Sequence, residues 1–234
     1  MTRIKYFSLT VYLIVLLAVT GCSSSINIKA GKDNTQDILL SLDLGEAVSR
    51  TILSATKGMQ KMSGKETNVF SKNHIESGLK KANVKNIIVS CPSSTKLNVN
   101  GTISSSQSHD LIAQDKNKIV VTLSPESLQN ISKTLGEETR SFLDLFMAPV
   151  ITGEKMTDEE YIDLLESVYG KEITNDIKKA SIKFTMTVPD GCRQKSYKAP
   201  EGISVSATDK SVSFSYPLLR LLTLTGTETS FIQW

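Results

Sequence analysis

Hydrophobic positions along this chain follow two spacings, and the switches between them mark out the elements. Leu40, Leu42 and Leu44 alternate with polar residues, so 38–44 is predicted as a strand that Gly45 ends. Val48, Ile52, Ala55 and Met59 then fall at helical spacing and predict an amphipathic helix from Glu46 to Met59. Ser71 is placed to cap a second, shorter helix to about Ala82, with Ile75 and Leu79 inward. Val84 to Cys91 is a strand centred on Ile87-Ile88-Val89 and stopped by Pro92. Lys96 to Ile103 alternates through Leu97, Val99 and Gly101, and its short connection to the preceding strand predicts a hairpin. Residues 104–110 are a serine-rich polar loop, and Lys118 to Leu123 is a further strand.

Helical spacing dominates from residue 124 to 179. Ser124-Pro125-Glu126 combines an N-cap serine, a proline at the first helical position and an early acid. Leu128 and Ile131 begin a stripe that Gly136 interrupts; Phe142, Leu145 and Phe146 mark a next helix, ended by Pro149 and Gly153. Thr157-Asp158-Glu159-Glu160 reads as a capping box, with Met156 and Tyr161 at the positions of a hydrophobic staple. Tyr161, Leu164, Leu165 and Val168 are expected to face the core, Gly170 closes the helix, and amphiphilic turns continue from Lys171 to Lys179. Strand spacing returns over Ser181–Val188, followed by a Pro189-Asp190-Gly191 turn, a loop over 190–202 and strands at 203–205 and 212–216. Pro217 to Leu224 fits a short helix or a buried strand equally, and Phe231 to Trp234 a last strand. The order predicts an α+β fold: a largely antiparallel sheet with helices on one face, arranged as two βαββ-like halves, the second carrying the helical insert 124–179.

The N-terminus is of a different kind. Arg3 and Lys5 precede an apolar run from Val11 to Val19, which leads into Val19-Thr20-Gly21-Cys22 and then Ser23-Ser24-Ser25. A basic start, a short apolar core and small residues before a break have the layout of a secretory signal. The run is shorter than the ~20 apolar residues a spanning helix needs. Residues 1–22 resemble a bacterial lipoprotein signal peptide with its lipobox. The resemblance implies export, cleavage before Cys22, and acylation of Cys22 on both its sulfur and its new amino group. Serine, not an acid, follows Cys22, which by the same resemblance implies an outer membrane where the cell has one. The division expected is a signal peptide over 1–21, the lipidated cysteine with a polar tether over 22–37, and one α+β domain over 38–234. As a flexible coil such a tether spans roughly 20 Å.

Composition narrows the function. The net charge of +3 includes Arg3 and Lys5, so the mature chain is nearly neutral, which argues against a nucleic-acid partner. Charge is unevenly spread: 126–172 holds eleven acidic residues against Lys133, Arg140, Lys155 and Lys171. Cys91 and Cys192 remain after Cys22, near strand ends, and an oxidising compartment leaves them either a disulfide or two thiols. The two histidines, His74 and His109, have no zinc-type spacing, and no nucleophile elbow, phosphate loop or calcium loop is present. No catalytic residue, metal or cofactor is therefore assigned. What remains is a surface: the apolar concentration around Phe142, Phe146 and Met147 beside the exposed acids Glu159 and Asp163. Such an apolar concentration most often packs as core; the other reading is a protein-docking face or an apolar groove. The expectation is a non-enzymatic, membrane-anchored envelope lipoprotein whose exported domain binds or scaffolds an envelope protein. The alternatives are a carrier of lipid or another apolar ligand, and an envelope hydrolase with an unfamiliar site.

Overall fold

The computed structural model describes residues 24–31, 33, 35–43, 70, 72–81, 83–93, 95–104, 111–132 and 146–234. The predicted helix Glu46–Met59, the loop 105–110, the lipobox and the segment with Phe142 and Leu145 lie outside the described residues.

Alternation builds the larger sheet. β1 (Ser24–Ala30), β2 (Thr35–Asp43), β3 (Lys85–Ser93), β4 (Lys96–Ser104), β7 (Ser181–Thr187), β9 (Ser204–Ala207) and β10 (Ser211–Pro217) lie in the order β3-β4-β2-β1-β7-β10-β9. All neighbours are antiparallel except β1 and β7, which run parallel. Register puts the apolar positions on one face: Ile26 lies opposite Leu40 and Phe184, Ile28 opposite Ile38 and Met186, and Phe214 opposite Phe184. Leu97, Val99 and Ile103 continue that face across β4. Gly101 belongs to it as well; a Cβ there would stand 2.5 Å from Val84 Cγ1, so the close approach of the chain entering β3 requires glycine.

A second, four-stranded sheet has the order β5-β6-β11-β8, built from β5 (Ile112–Asp115), β6 (Lys118–Leu123), β8 (Ser196–Lys198) and β11 (Glu228–Gln233). Its Ile119, Val121, Leu123 and Ile232 enter the same core. The two sheets meet at a polar contact, where the buried hydroxyls of Tyr216 on β10 and Ser230 on β11 lie 2.7 Å apart.

The helices complete the core. α1 (Lys72–Lys81) inserts Ile75 and Leu79 beside β3. α2 (Pro125–Ser132), α3 (Ala148–Thr152), α4 (Asp158–Tyr169) and α5 (Lys171–Lys179) carry the chain from the small sheet to the large one, and α6 (Leu218–Leu222) follows β10. The start of α4 forms as its sequence dictates. The Glu160 backbone N–H donates to Thr157 Oγ1, while the Thr157 N–H donates to the Glu160 carboxylate at 2.8 Å. Gly153 ends α3 in the left-handed region at φ 73°. Among the described residues no helix is long and apolar enough to cross a membrane.

The α+β class and the mostly antiparallel pairing agree with the sequence expectation. Several details differ. Residues 24–30 and 35–37, expected to be tether, are strand; Ser24, Ile26, Ile28 and Ala30 all point into the core, and only the outward Ser25, Asn27 and Lys29 gave the stretch its polar look. The two-halves arrangement fails because β6 pairs with β11 in a separate sheet. Pro149 sits in the first turn of α3, where a missing N–H costs nothing, and the helix predicted before it lies mostly outside the described residues. In α4 the inward residues are Tyr161, Ile162 and Leu165, whereas Leu164 and Val168 are 40% and 50% exposed. The loop 190–202 contains β8, β5 was not foreseen, and 217–224 takes the helical alternative.

Candidate functional surface

Cys22 lies outside the described residues, but the chain it leads into does not. Ser24, two residues on, is fully buried in β1, with β2 on one side and β7 on the other. Cys22 therefore stands two positions before an inner strand of the main sheet, with no 15-residue spacer between them.

The other cysteines do not form a bridge; Cys91 and Cys192 are free thiols. Cys91 lies toward the end of β3, which shares the Ser24 end of the sheet. Cys192 lies beyond β7, at the opposite end. Four strand spacings separate β3 from β7, roughly 19 Å across the sheet. A disulfide needs Cβ atoms within about 4.5 Å, so the topology forbids it. Strand-end positions were visible in the sequence; which end, and how many strands apart, were not. Burial also pushes the Cys91 thiol up from its ordinary range, an effect that nearby Lys72 partly offsets.

The apolar cluster proposed as a binding face is core where it is described. Phe146 and Met147 are 0% and 2% exposed. The Phe146 ring stacks on Tyr169 with centroids 4.2 Å apart and planes 10° from parallel, and its carbonyl accepts from the buried Tyr161 hydroxyl. These rings fill the space between α4 and the chain entering α3, so they cannot line an open groove; Phe142 lies outside the described residues. Glu159 and Asp163, by contrast, are exposed on α4. The structure thus separates the acids from the rings that the sequence grouped with them.

The ionisable groups pushed furthest are core tyrosines. Burial raises Tyr161, Tyr169 and Tyr216, with Tyr169 pushed up to about 12. Each belongs to a packing contact already described. Glu160 shifts the other way, because the Thr157 backbone and hydroxyl both donate to its carboxylate. No group of three or more His, Cys, Asp and Glu among the described residues could hold a metal. A hollow of about 450 Å³ lies along α1, open to solvent and lined by Asn73, Glu76, Ser77 and Lys80.

The feature the sequence reading missed is the other face of the large sheet. Register aligns its outward side chains in rows. One row is Ser90, Asn98, Ser41, Ser25, Lys183, Ser215 and Ser204. The next is Ile88, Asn100, Leu39, Asn27, Thr185, Ser213 and Ser206. These residues are half-buried or exposed, and a Thr185–Ser213 hydroxyl contact of 2.9 Å ties neighbouring strands. These two rows are short-chained apart from Lys183, with Leu39 and Ile88 their exposed apolar points, and the flanking rows of the same face carry Lys29 and Asp37 at one end and Asp43 and Lys96 at the other. The alternate positions of each strand carried the signal, but only the strand order assembles them.

A scan against protein-family models finds no match to this chain, and a search of the curated proteins finds none.

Proposed function

We propose that this chain is a lipid-anchored cell-envelope lipoprotein, held by acylated Cys22, whose exported α+β domain binds or scaffolds an envelope partner without catalysis. The observation that carries the reading is the sequence Val19-Thr20-Gly21-Cys22 behind a basic and then apolar leader. Nothing else in the N-terminal stretch explains why small residues and a cysteine close the apolar run together. One myristoyl chain binds a bilayer only marginally at ~0.8 kcal/mol per buried methylene, whereas the three chains implied here hold the protein stably. Ser23 after the modified cysteine leans the destination toward an outer membrane where one exists. Recognition is assigned to the exposed acidic side of the helical segment, where Glu159 and Asp163 stand free of the core.

Cys22→Ala tests the anchor. Wild type takes up labelled palmitate and stays with membranes after a high-salt wash; the variant does neither. If wild type takes up no label and the variant still sediments with membranes, the proposal fails.

A further inference from the structure

We propose that the mature domain has no standoff from its bilayer: the Ser24 end of the seven-stranded sheet lies in the lipid headgroup layer, and the strands rise outward from it. This rests on the lipidation of Cys22. Length alone brings the sheet to the bilayer. Only Ser23 separates Cys22 from Ser24, so their Cα atoms are at most about 7 Å apart. The headgroup region of one leaflet is itself roughly 5–8 Å thick. A cysteine whose acyl chains lie in hydrocarbon therefore holds Ser24 within or just above that layer.

Nor can the chain lengthen by fraying. β1 is an inner strand, paired through Ser25 to Ser41 on one side and Lys183 on the other. Releasing it would break both ladders and expose Ile26 and Ile28, which are 1% and 0% exposed. The anchor pulls on a strand fixed in the middle of the sheet.

The chemistry of that end suits the same placement. Strand directions bring Ser93, Lys96, Asp43, Ser181 and Pro217 to the same rim as Ser24. α5 ends there too, since Ala180 joins it to β7 and accepts from the Leu218 N–H. Its exposed Lys178 and Lys179 therefore stand at the rim. Lys96 pairs with Asp43 at 3.0 Å; among the described residues Asp176 lies about one turn before Lys179 and Glu201 just before β9. Among the described residues this rim is polar with exposed lysines, which fits phosphate-bearing headgroups. The opposite rim, with the Lys29–Asp190 pair and the Thr208–Ser211 turn, stands one strand length away, roughly 20 Å. The Ser/Thr/Asn face then rises from the bilayer and looks sideways along it.

The test uses the acylated protein on vesicles of phosphatidylethanolamine and phosphatidylglycerol. Cys91→Ser and Cys192→Ser clear the background, and single cysteines are placed by Lys179→Cys at the near rim and Lys210→Cys at the far one. A bulky, membrane-impermeant maleimide should react with Lys179→Cys at least tenfold more slowly on vesicles than on the Cys22→Ala form in solution. Lys210→Cys should react equally in both. Inserting fifteen Gly/Ser residues between Ser23 and Ser24 should restore the near-rim rate. Equal near-rim rates with and without the insert, on protein shown by mass to be acylated, overturn the inference while leaving the anchor intact. Protein carrying no acyl mass overturns the anchor, and the inference with it.

Discussion

Removing the hydroxyl of Tyr216 should weaken the join between the two sheets, by an amount that depends on whether its partner is also removed. Tyr216 and Ser230 are both 0% exposed, and their oxygens are 2.7 Å apart. In Tyr216→Phe the Ser230 hydroxyl is left buried without this partner; in Ser230→Ala the tyrosine hydroxyl is. A buried group stranded in this way costs about 1–3 kcal/mol, whereas a hydrogen bond removed with both partners costs little. Each single variant should therefore lose ~1–3 kcal/mol and the double variant distinctly less than their sum, a coupling of about 1–2 kcal/mol. Trp234 is the chain's one tryptophan, and its backbone N–H is held by the Asn117 carbonyl next to β6. Its fluorescence reports urea unfolding at the small sheet. With a slope of about 2 kcal/mol per molar urea, a single variant moves the midpoint down by roughly 0.5–1.5 M. Free energies that add within ~0.5 kcal/mol would mean that the hydroxyls are not bonded across the sheets, and the inter-sheet contact would need to be rebuilt.

Phe146→Ala should cost ~3–5 kcal/mol in the same assay, as for a fully buried ring that also loses its stack on Tyr169; a loss below 1 kcal/mol would return Phe146 to the surface. Thr157→Ala should cost about 1 kcal/mol and bring the Glu160 titration, followed by NMR, back up toward the ordinary glutamate range. Because the folded Glu160 titrates below its unfolded value, its contribution is present above the unfolded pKa and fades as pH falls through the folded one; the backbone N–H at 157 still donates in the variant, so the return is partial, and an unchanged titration would refute the hydroxyl's bond to Glu160. Unfolded without reductant, the mature protein should expose Cys91 and Cys192 as two maleimide-reactive thiols, with Cys91 the slower in the native state; no reaction until reductant is added would restore the disulfide.

What was legible in the sequence was local. Thr157, Glu160, Met156 and Gly170 each specify a position within one helix, and α4 begins and ends where they say. β4, β6, β7 and β10 alternate cleanly enough to be drawn within a residue or two, whereas β3, read from the run Ile87-Ile88-Val89, continues through the Pro92 expected to stop it. The failures share a cause: they depend on partners far along the chain. β1 looked like a tether because half its side chains face water and its inward set includes the small Ser24 and Ala30. Its strand character comes from β2 and from a parallel partner more than 150 residues away. The stripe of α4 was misassigned at Leu164 and Val168 because an apolar residue on a helix does not announce which neighbour it packs against. The rings around Phe146 read as a surface for the same reason. The open Ser/Thr/Asn face was invisible because no single strand contains it; it exists only once seven strands are in order.

The most direct test of the account is the intact mass of the mature N-terminal peptide isolated from membranes. Acylated Cys22 predicts a chain that begins at Cys22 and carries a diacylglyceryl group on sulfur and a fatty acyl group on the amino nitrogen. A peptide that begins at Met1, or at any residue other than Cys22, with unmodified mass would contradict the lipoprotein reading and remove the basis for placing the Ser24 rim at a bilayer.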